Sequence, residues 1–245
     1  NTSSGLKASG CNINSFSIRY ASSDDHDISP STQGKEFFFS LMENGYRENS
    51  TSNRKYKAII APKEDAIVTF YYYENQTQDT FHVRSGRTRE ITLQEALVYH
   101  DTPGEQLKRT VHVTSTADIS LYISNEANNS FDASIVLPTT ALGADYMIQT
   151  YPSNSYNDER GRPCFMIIAT EDNTTVNISG TNSKSITPAA TTKTLNEGES
   201  YFVISNNNSV NDLSGLKINV SINSPEDSCK TIAVFNGNVV TCIPN

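Results

Sequence analysis

Tryptophan is absent from the 245 residues, methionine occurs three times and histidine four times. The missing indole removes the side chain that most often stacks on a sugar ring. Charge is scarce too: Asp, Glu, Lys and Arg make up 19% of the chain, with 27 acids against 19 bases and a net charge of −8. Such a chain has no basic patch with which to displace counterions from nucleic acid or an anionic membrane, so neither is expected as a partner. No stretch approaches the roughly 18 consecutive apolar residues of a membrane-spanning helix. The segment at Asn1 has no signal-peptide pattern and does not begin with Met, so the chain is expected to be a processed or trimmed product. Hydrophobic residues reach only 36%, and the polar remainder is mostly uncharged Ser, Thr and Asn, a mixture that suits strands and turns.

Motifs that announce chemistry are equally sparse. His26, His82, His100 and His112 are scattered, with no spacing that sets two ligands on one face. There is no Gly-x-Ser-x-Gly elbow for a serine nucleophile and no glycine-rich loop opening a helix to cradle phosphate. Paired carboxylates of a glycosidase can converge from distant parts of a chain, which keeps a hydrolase as a remote third reading. Asp24-Asp25-His26-Asp27 gathers hard oxygen ligands without EF-hand spacing and reads as a solvated acidic turn. Tyr71-Tyr72-Tyr73 and Phe37-Phe38-Phe39 alternate across a strand, so one or two of each triplet belong to the core, and an outward Tyr is the candidate sugar platform. Arg160-Gly161-Arg162 reads as a cationic loop tip. No catalytic residue, metal ligand or cofactor site is expected, and the binding residues stay unassigned.

The four cysteines, Cys11, Cys164, Cys229 and Cys242, lie too far apart for zinc ribbons or redox motifs. An even count in a chain rich in Ser, Thr and Asn, with many Asn-x-Ser/Thr triplets, fits an exported protein with one or two disulfides.

The chain also repeats itself. Gly34-Lys-Glu-Phe-Phe-Phe-Ser is echoed 109 residues later by Gly143-Ala-Asp-Tyr-Met-Ile-Gln. Ile59-Ile60-Ala61 through Val68 aligns with Ile167-Ile168-Ala169 through Val176, at an offset of 108. Ile119-Ser120-Leu121-Tyr122 pairs with Ile232-Ala233-Val234-Phe235, and Val136-Leu137-Pro138 with Cys242-Ile243-Pro244. Collinear matches in this order predict an N-terminal extension over 1–33 and two modules over 34–142 and 143–245.

Short β-branched and aromatic runs between turn residues predict an all-β fold of two tandem β-sandwich-like modules of about 105 residues each. In the first, strands are expected near 36–42, 56–61, 66–73, 79–84, 87–92, 109–114, 119–123 and 131–137. Only Leu93-Gln94-Glu95-Ala96-Leu97-Val98 carries a helical period, enough for a turn or two. Pro62–Asp65 and Thr170–Asn173 are read as hairpin turns. Asn236-Gly237 is the strongest short hairpin signal, and a type I′ turn there sets Thr231 opposite Cys242. That geometry makes Cys229–Cys242 the candidate disulfide, with Cys11–Cys164 as its complement if all four are oxidised.

The blocks resemble a known family. Val111-His112-Val113-Thr114-Ser115 with Ile119–Tyr122, Leu137-Pro138-Thr139-Thr140-Ala141-Leu142-Gly143-Ala144-Asp145-Tyr146 and Ile168–Val176 look like the N-terminal domain of the IgGFc-binding protein family. Leu195-Asn196-Glu197-Gly198-Glu199-Ser200-Tyr201 and Ile232–Asn238 continue the likeness, which spans about residues 34 to 245. The resemblance implies an extracellular or cell-surface binding or adhesion module, as in animal mucus proteins and large exported bacterial proteins, and no catalytic residues. A secreted or surface bacterial member is expected, with an extracellular protein or glycan of unassigned identity as partner. A carbohydrate-binding module is the second reading, drawn from the Tyr and Asn content. Binding is expected through loops at the ends of the sandwiches or through the groove between them.

Overall fold

The computed structural model describes residues 31–44, 54–127, 130–152, 161–180, 186–187, 192–205 and 212–240. The Asp24–Asp27 cluster, Cys11, Arg160 and Cys242 lie outside them.

Alternation of apolar and polar residues produces the strands of the first half. β1 (Gly34–Phe39), β3 (Lys55–Pro62), β4 (Ala66–Tyr72), β5 (Thr77–Val83), β6 (Arg89–Leu93), β9 (Val111–Ala127) and β10 (Ser130–Val136) form one seven-stranded sheet. In β3, Tyr56, Ala58 and Ile60 are buried while Lys55 is exposed and Lys57 and Ile59 are half-buried, the period-two pattern of a strand with one face on a core. β2 (Leu41–Met42) pairs in parallel with β7 (Tyr99–His100), and the single helical turn α1 (Glu95–Val98) sits where the helical period is read. β8 (Gln106–Leu107) leaves this half and pairs with a strand of the second.

The second half has β11 (Asp145–Met147), β12 (Pro163–Ala169), β13 (Thr174–Ser179), β14 (Ile186–Thr187), β15 (Thr192–Leu195), β16 (Ser200–Ser205), β17 (Lys217–Val220) and β18 (Ile232–Asn238). One sheet runs β11-β17-β13-β15, the other β14-β16-β12-β18 with β8 joined to β16. Phe165, Ile167, Tyr201 and Val203 from one sheet meet Val176, Ile178, Leu195 and Ile218 from the other in a shared core, which makes this half a β-sandwich.

Four expected chain reversals are absent. Thr116-Ala117-Asp118 does not split two strands: β9 is continuous for 17 residues. The pairing of β1 with β9 jumps from Gly34↔Ile119 to Glu36↔Thr114, so an irregularity there bends β9 instead of ending it. Pro62–Asp65 is not a hairpin either. β3 and β4 both run antiparallel to β9, Pro62 opposite Ile119 and Val68 opposite Ser115, so the chain continues in one direction beside the same neighbour. Lys63 N–H donates to Asp118 O at 3.1 Å and Ile67 N–H to Thr116 Oγ1 at 2.9 Å, which holds the bend against β9. Thr170–Asn173 likewise carries the chain from β12 in one sheet to β13 in the other, with Asn173 at a φ of 54°. Pro62–Asp65 is thus a bend within one sheet and Thr170–Asn173 a corner at which the chain passes between sheets, jobs for which Asp and Asn are as well suited as for a hairpin.

Asn236-Gly237 is no hairpin: both lie inside β18, opposite Phe165 and Cys164. A type I′ turn needs positive φ at both central residues, and neither is among the positive-φ positions of the chain. The asparagine is instead used as an anchor, since Asn236 Nδ2–H donates to Gln149 O.

β12 is buried along its whole length. One face enters the sandwich core, and the other, with Cys164, Met166 and Ile168, joins Phe202, Ile204, Ala233 and Phe38 in a third cluster. Phe38 comes from β1, so the two halves share a core. For this reason all three residues of Phe37-Phe38-Phe39 are buried, where alternation on a one-sided sheet predicts one or two.

Candidate binding groove

Two edge strands face each other where the halves meet. Among the described strands β10 pairs only with β9 and β18 only with β12, while Ile232 at the start of β18 also donates its N–H to Gly143 O at 3.0 Å. Between them lies a groove whose polar end is lined by Met42, Glu43, Asn44, Asn125, Asp132 and Asn236, and whose apolar end is lined by Ile135, Leu137, Leu142, Tyr146 and Val234. Ser134 and Phe235 border both ends. The two parts hold cavities of about 60 and 220 Å³, smaller than the clefts that enclose drug-sized ligands, so the groove is a shallow surface feature open to solvent.

The polar wall is built rigidly. Asn44 Nδ2–H donates to Asn125 O at 2.7 Å, Asn125 Nδ2–H returns to Met42 O at 2.8 Å, and Ser130 Oγ–H donates to Asn44 Oδ1 at 2.5 Å. Both amides are buried and satisfied, so they fix the 42–44 loop against β9. Across the groove Asn238 Nδ2–H donates to Tyr151 O at 2.9 Å and to Gly161 O at 3.1 Å, while Tyr151 N–H donates to Asn238 Oδ1 at 3.2 Å. The Asn-Gly-Asn run thus ties the 149–152 segment to β18. Glu43 and Asp132 leave the groove acidic. Desolvation raises the Asp132 carboxyl above the usual carboxylate range, opposed by the Ala133 backbone N–H.

The other singled-out residues are placed elsewhere. His82, His100 and His112 do not converge, and among the described residues no group of three His, Cys, Asp or Glu is placed to hold a metal. His112 stacks on Phe38 at 4.2 Å and 10° and meets Glu36 Oε1 at 3.0 Å. Tyr73 lies against the second half, where its hydroxyl donates to Glu197, and Tyr71 meets its ring edge-on at 5.0 Å. Tyr73 is therefore an inter-half contact, while Tyr72 is buried in the core of the first half. Arg162 reaches Ser205 O at 3.4 Å.

One pairing escaped the sequence reading. His100 Nδ1 lies 3.0 Å from Ser200 Oγ, and Nε2 lies 3.1 Å from Thr102 O. Both residues are fully buried, so no substrate reaches this Ser–His pair. The neutral ring donates Nε2–H to Thr102 O, and burial pulls its pKa down to about 4. The residues stand 100 apart in sequence, and no local spacing could have joined them.

Cysteine chemistry also differs from expectation. Cys164 is a free, buried thiol in the shared core, and burial pushes its pKa far above the ordinary thiol value. The Cys11–Cys164 complement is thus not formed, and Cys164 lies buried with Phe38, Phe202 and Ile204. Cys229 is disulfide-bonded.

The sequence profile of the family described as IgGFc binding protein matches residues 132–245, a narrower stretch than the motif reading from Gly34. No curated protein matches the chain. Among solved structures, the crystal structure of PBSX exported protein XepA aligns over 85% of this chain and 87% of its own at 12% identity, with a TM-score of 0.18, too low to carry an argument. The family match opens at Asp132 in β10 and takes in β18 and the whole second core, while the Met42–Asn44 and Asn125 part of the polar wall lies before it. Residues 132–245, a little under half of the chain, are thus similar to the family described as IgGFc binding protein.

Proposed function

We propose that this chain is a non-catalytic interaction module, extracellular or on a cell surface, that holds an extended polypeptide segment in the groove between β10 and β18. The observation that carries this reading is that both walls are sheet edges. An edge strand offers unpaired N–H and C=O groups, which an extended segment satisfies by adding as a further strand. The two halves follow one plan, which supports a tandem repeat: β9 beyond its bend lies between β3 and β10, and β18 occupies the corresponding place beside β12, its outer side bridged to Gly143 at Ile232 and paired with no further strand from Ala233 to Asn238. Glu43 and Asp132, on a chain of net charge −8, favour a segment carrying Lys or Arg. The disulfide at Cys229 supports export to an oxidising compartment.

A glycan ligand is the second reading, favoured by the amides around the groove. It is weaker because Asn44, Asn125 and Asn238 are already engaged with the backbone. The family's printed name records Fc binding, and no residue of this groove marks an Fc contact.

A screen of the purified chain against mucus and serum proteins, Fc included, and a glycan array at physiological salt tests the proposal. A protein ligand is expected whose affinity falls about tenfold or more in Asp132→Asn with Glu43→Gln, the size of one lost charged contact. A ligand that ignores these substitutions overturns the groove, and a glycan bound through it promotes the second reading.

A further inference from the structure

We infer that the segment held between β10 and β18 carries a Lys or Arg and a large apolar residue three positions apart, so that the two side chains leave opposite faces of the added strand. This rests on the reading of the groove as a site for an extended polypeptide, and it specifies the sequence of that segment.

The free backbone groups of both edges follow from the hydrogen bonds beside them. Val239 N–H donates to Arg162 O at 3.0 Å and extends the register in which Gly237 faces Cys164 and Phe235 faces Met166. In an antiparallel ladder alternate residues bond to the same neighbour, so Val234 and Asn236 turn their N–H and C=O groups away from β12. Ile232, of the same parity, bears this out: its N–H donates to Gly143 O at 3.0 Å and its C=O accepts from the Tyr146 hydroxyl at 2.8 Å. On the other wall Lys63 N–H donates to Asp118 O at 3.1 Å, which directs the even-numbered residues of β9 to β3 and the odd-numbered ones to β10. Asn125 and Ile123 thus bond to Asp132 and Ser134, and Ala133 and Ile135 turn their groups into the groove. Asp132 lines the groove with Asn236 and Asn238, and Ile135 lines it with Ala233 and Val234, so the two edges run antiparallel.

The two faces of β10 differ in chemistry. Asp132, Ser134 and Val136 share the inward face, and Val136 belongs to the core of the first half. Phe131, Ala133 and Ile135 leave the other face, where Phe131 is 69% exposed and Tyr122, opposite Ile135, is 41% exposed. β18 divides in the same way, with Phe235 against the first core and Val234 against the second. Asp132 and Glu43 therefore offer negative charge on one face, and Ile135, Leu142 and Val234 offer apolar surface on the other. A strand lying between the edges alternates as they do. For one of its side chains to meet Asp132 and another Ile135, the two residues must be an odd number of positions apart. Asp132 and Ile135 are themselves three apart, about 10 Å at ~3.3 Å per residue. An even separation puts both side chains on one face, which costs either the ion pair or the apolar contact.

Fluorescence anisotropy of the purified chain with labelled peptides of one composition tests this. Thr-Thr-Lys-Thr-Thr-Leu-Thr-Thr and its reversed sequence carry the odd separation, and Thr-Thr-Lys-Thr-Leu-Thr-Thr-Thr and its reverse the even one. The odd-spaced peptide of one chain direction is expected to bind about fivefold or more tightly than both even-spaced peptides. Asp132→Asn is expected to erase the preference for Lys over Gln in that peptide, and Ile135→Ser the preference for Leu over Thr. Equal affinity for odd and even separations, still lowered by Asp132→Asn, overturns the spacing and leaves the groove as the site. Binding by none of the peptides, or binding indifferent to both substitutions, overturns the groove reading along with it.

Discussion

His100 and Ser200 meet at 3.0 Å in a fully buried contact between the two halves of the chain. Folding lowers the histidine pKa from 6.5 to about 4, chiefly by desolvation. Between those values the unfolded chain binds a proton that the folded one does not, so stability rises with pH through that window and is complete above 6.5. The contribution lost at acid pH is about 3 kcal/mol, since each pKa unit is worth about 1.4. Melting temperatures between pH 4 and 7 are expected to fall toward acid, and His100→Gln to flatten the part of the curve above pH 5. An unchanged curve in the variant refutes the assignment.

Gly198 is held at a φ of 75°, and a Cβ there would lie 2.4 Å from the Tyr73 ring. Gly198→Ala therefore carries both backbone strain and a clash across the two halves, and is expected to cost about 2 kcal/mol or more. Adding Tyr73→Ala removes the clash but not the strain, so denaturant unfolding of the double variant should show a coupling of about 1 kcal/mol. Strict additivity would place the ring elsewhere.

Phe38 is 2% exposed and belongs to the cluster that contains Met166 and Ile168. Phe38→Ala is expected to cost about 3–5 kcal/mol. Because the ring supports β12 from the other half, amide exchange should quicken at Met166 and Ile168 as well as in β1. Acceleration confined to β1 would mean that the halves are energetically separate.

Asn238 clasps Tyr151 in both directions. Asn238→Ala is expected to cost about 1–3 kcal/mol through the unpaired backbone groups, and to speed exchange at the Tyr151 amide while leaving β12 protected. Unaltered exchange at Tyr151 would count against the clasp.

Much of the fold was readable locally. Strands β3, β4, β5 and β6 lie where alternation and turn residues predict them, and Leu93–Val98 supplies the only α-helical turn among the described residues. Hairpins were read less well. Pro62–Asp65 and Thr170–Asn173 carry turn chemistry, but whether a chain reverses or crosses a corner depends on which strand accepts its next hydrogen bonds. Asn236-Gly237 failed for the same reason: β12 was available as a partner along all of β18, and an extended backbone satisfied more groups than a turn.

The groove was anticipated only as a space between modules. Glu43, Asn125, Asp132 and Asn236 have no common spacing, and they meet because β2, β9, β10 and β18 end at one junction.

The order of apolar, polar and turn residues by itself determined an all-β chain and the likeness of residues 132–245 to the IgGFc-binding profile, since alternation acts over a few residues and a family's motifs are read in line. Tertiary structure alone decided that β12 is covered on both faces, that Cys164 stays a thiol, that His100 finds Ser200, and that two edges face across a groove. Each of these depends on contacts between residues far apart in sequence, whose energy exists only once the layers are packed.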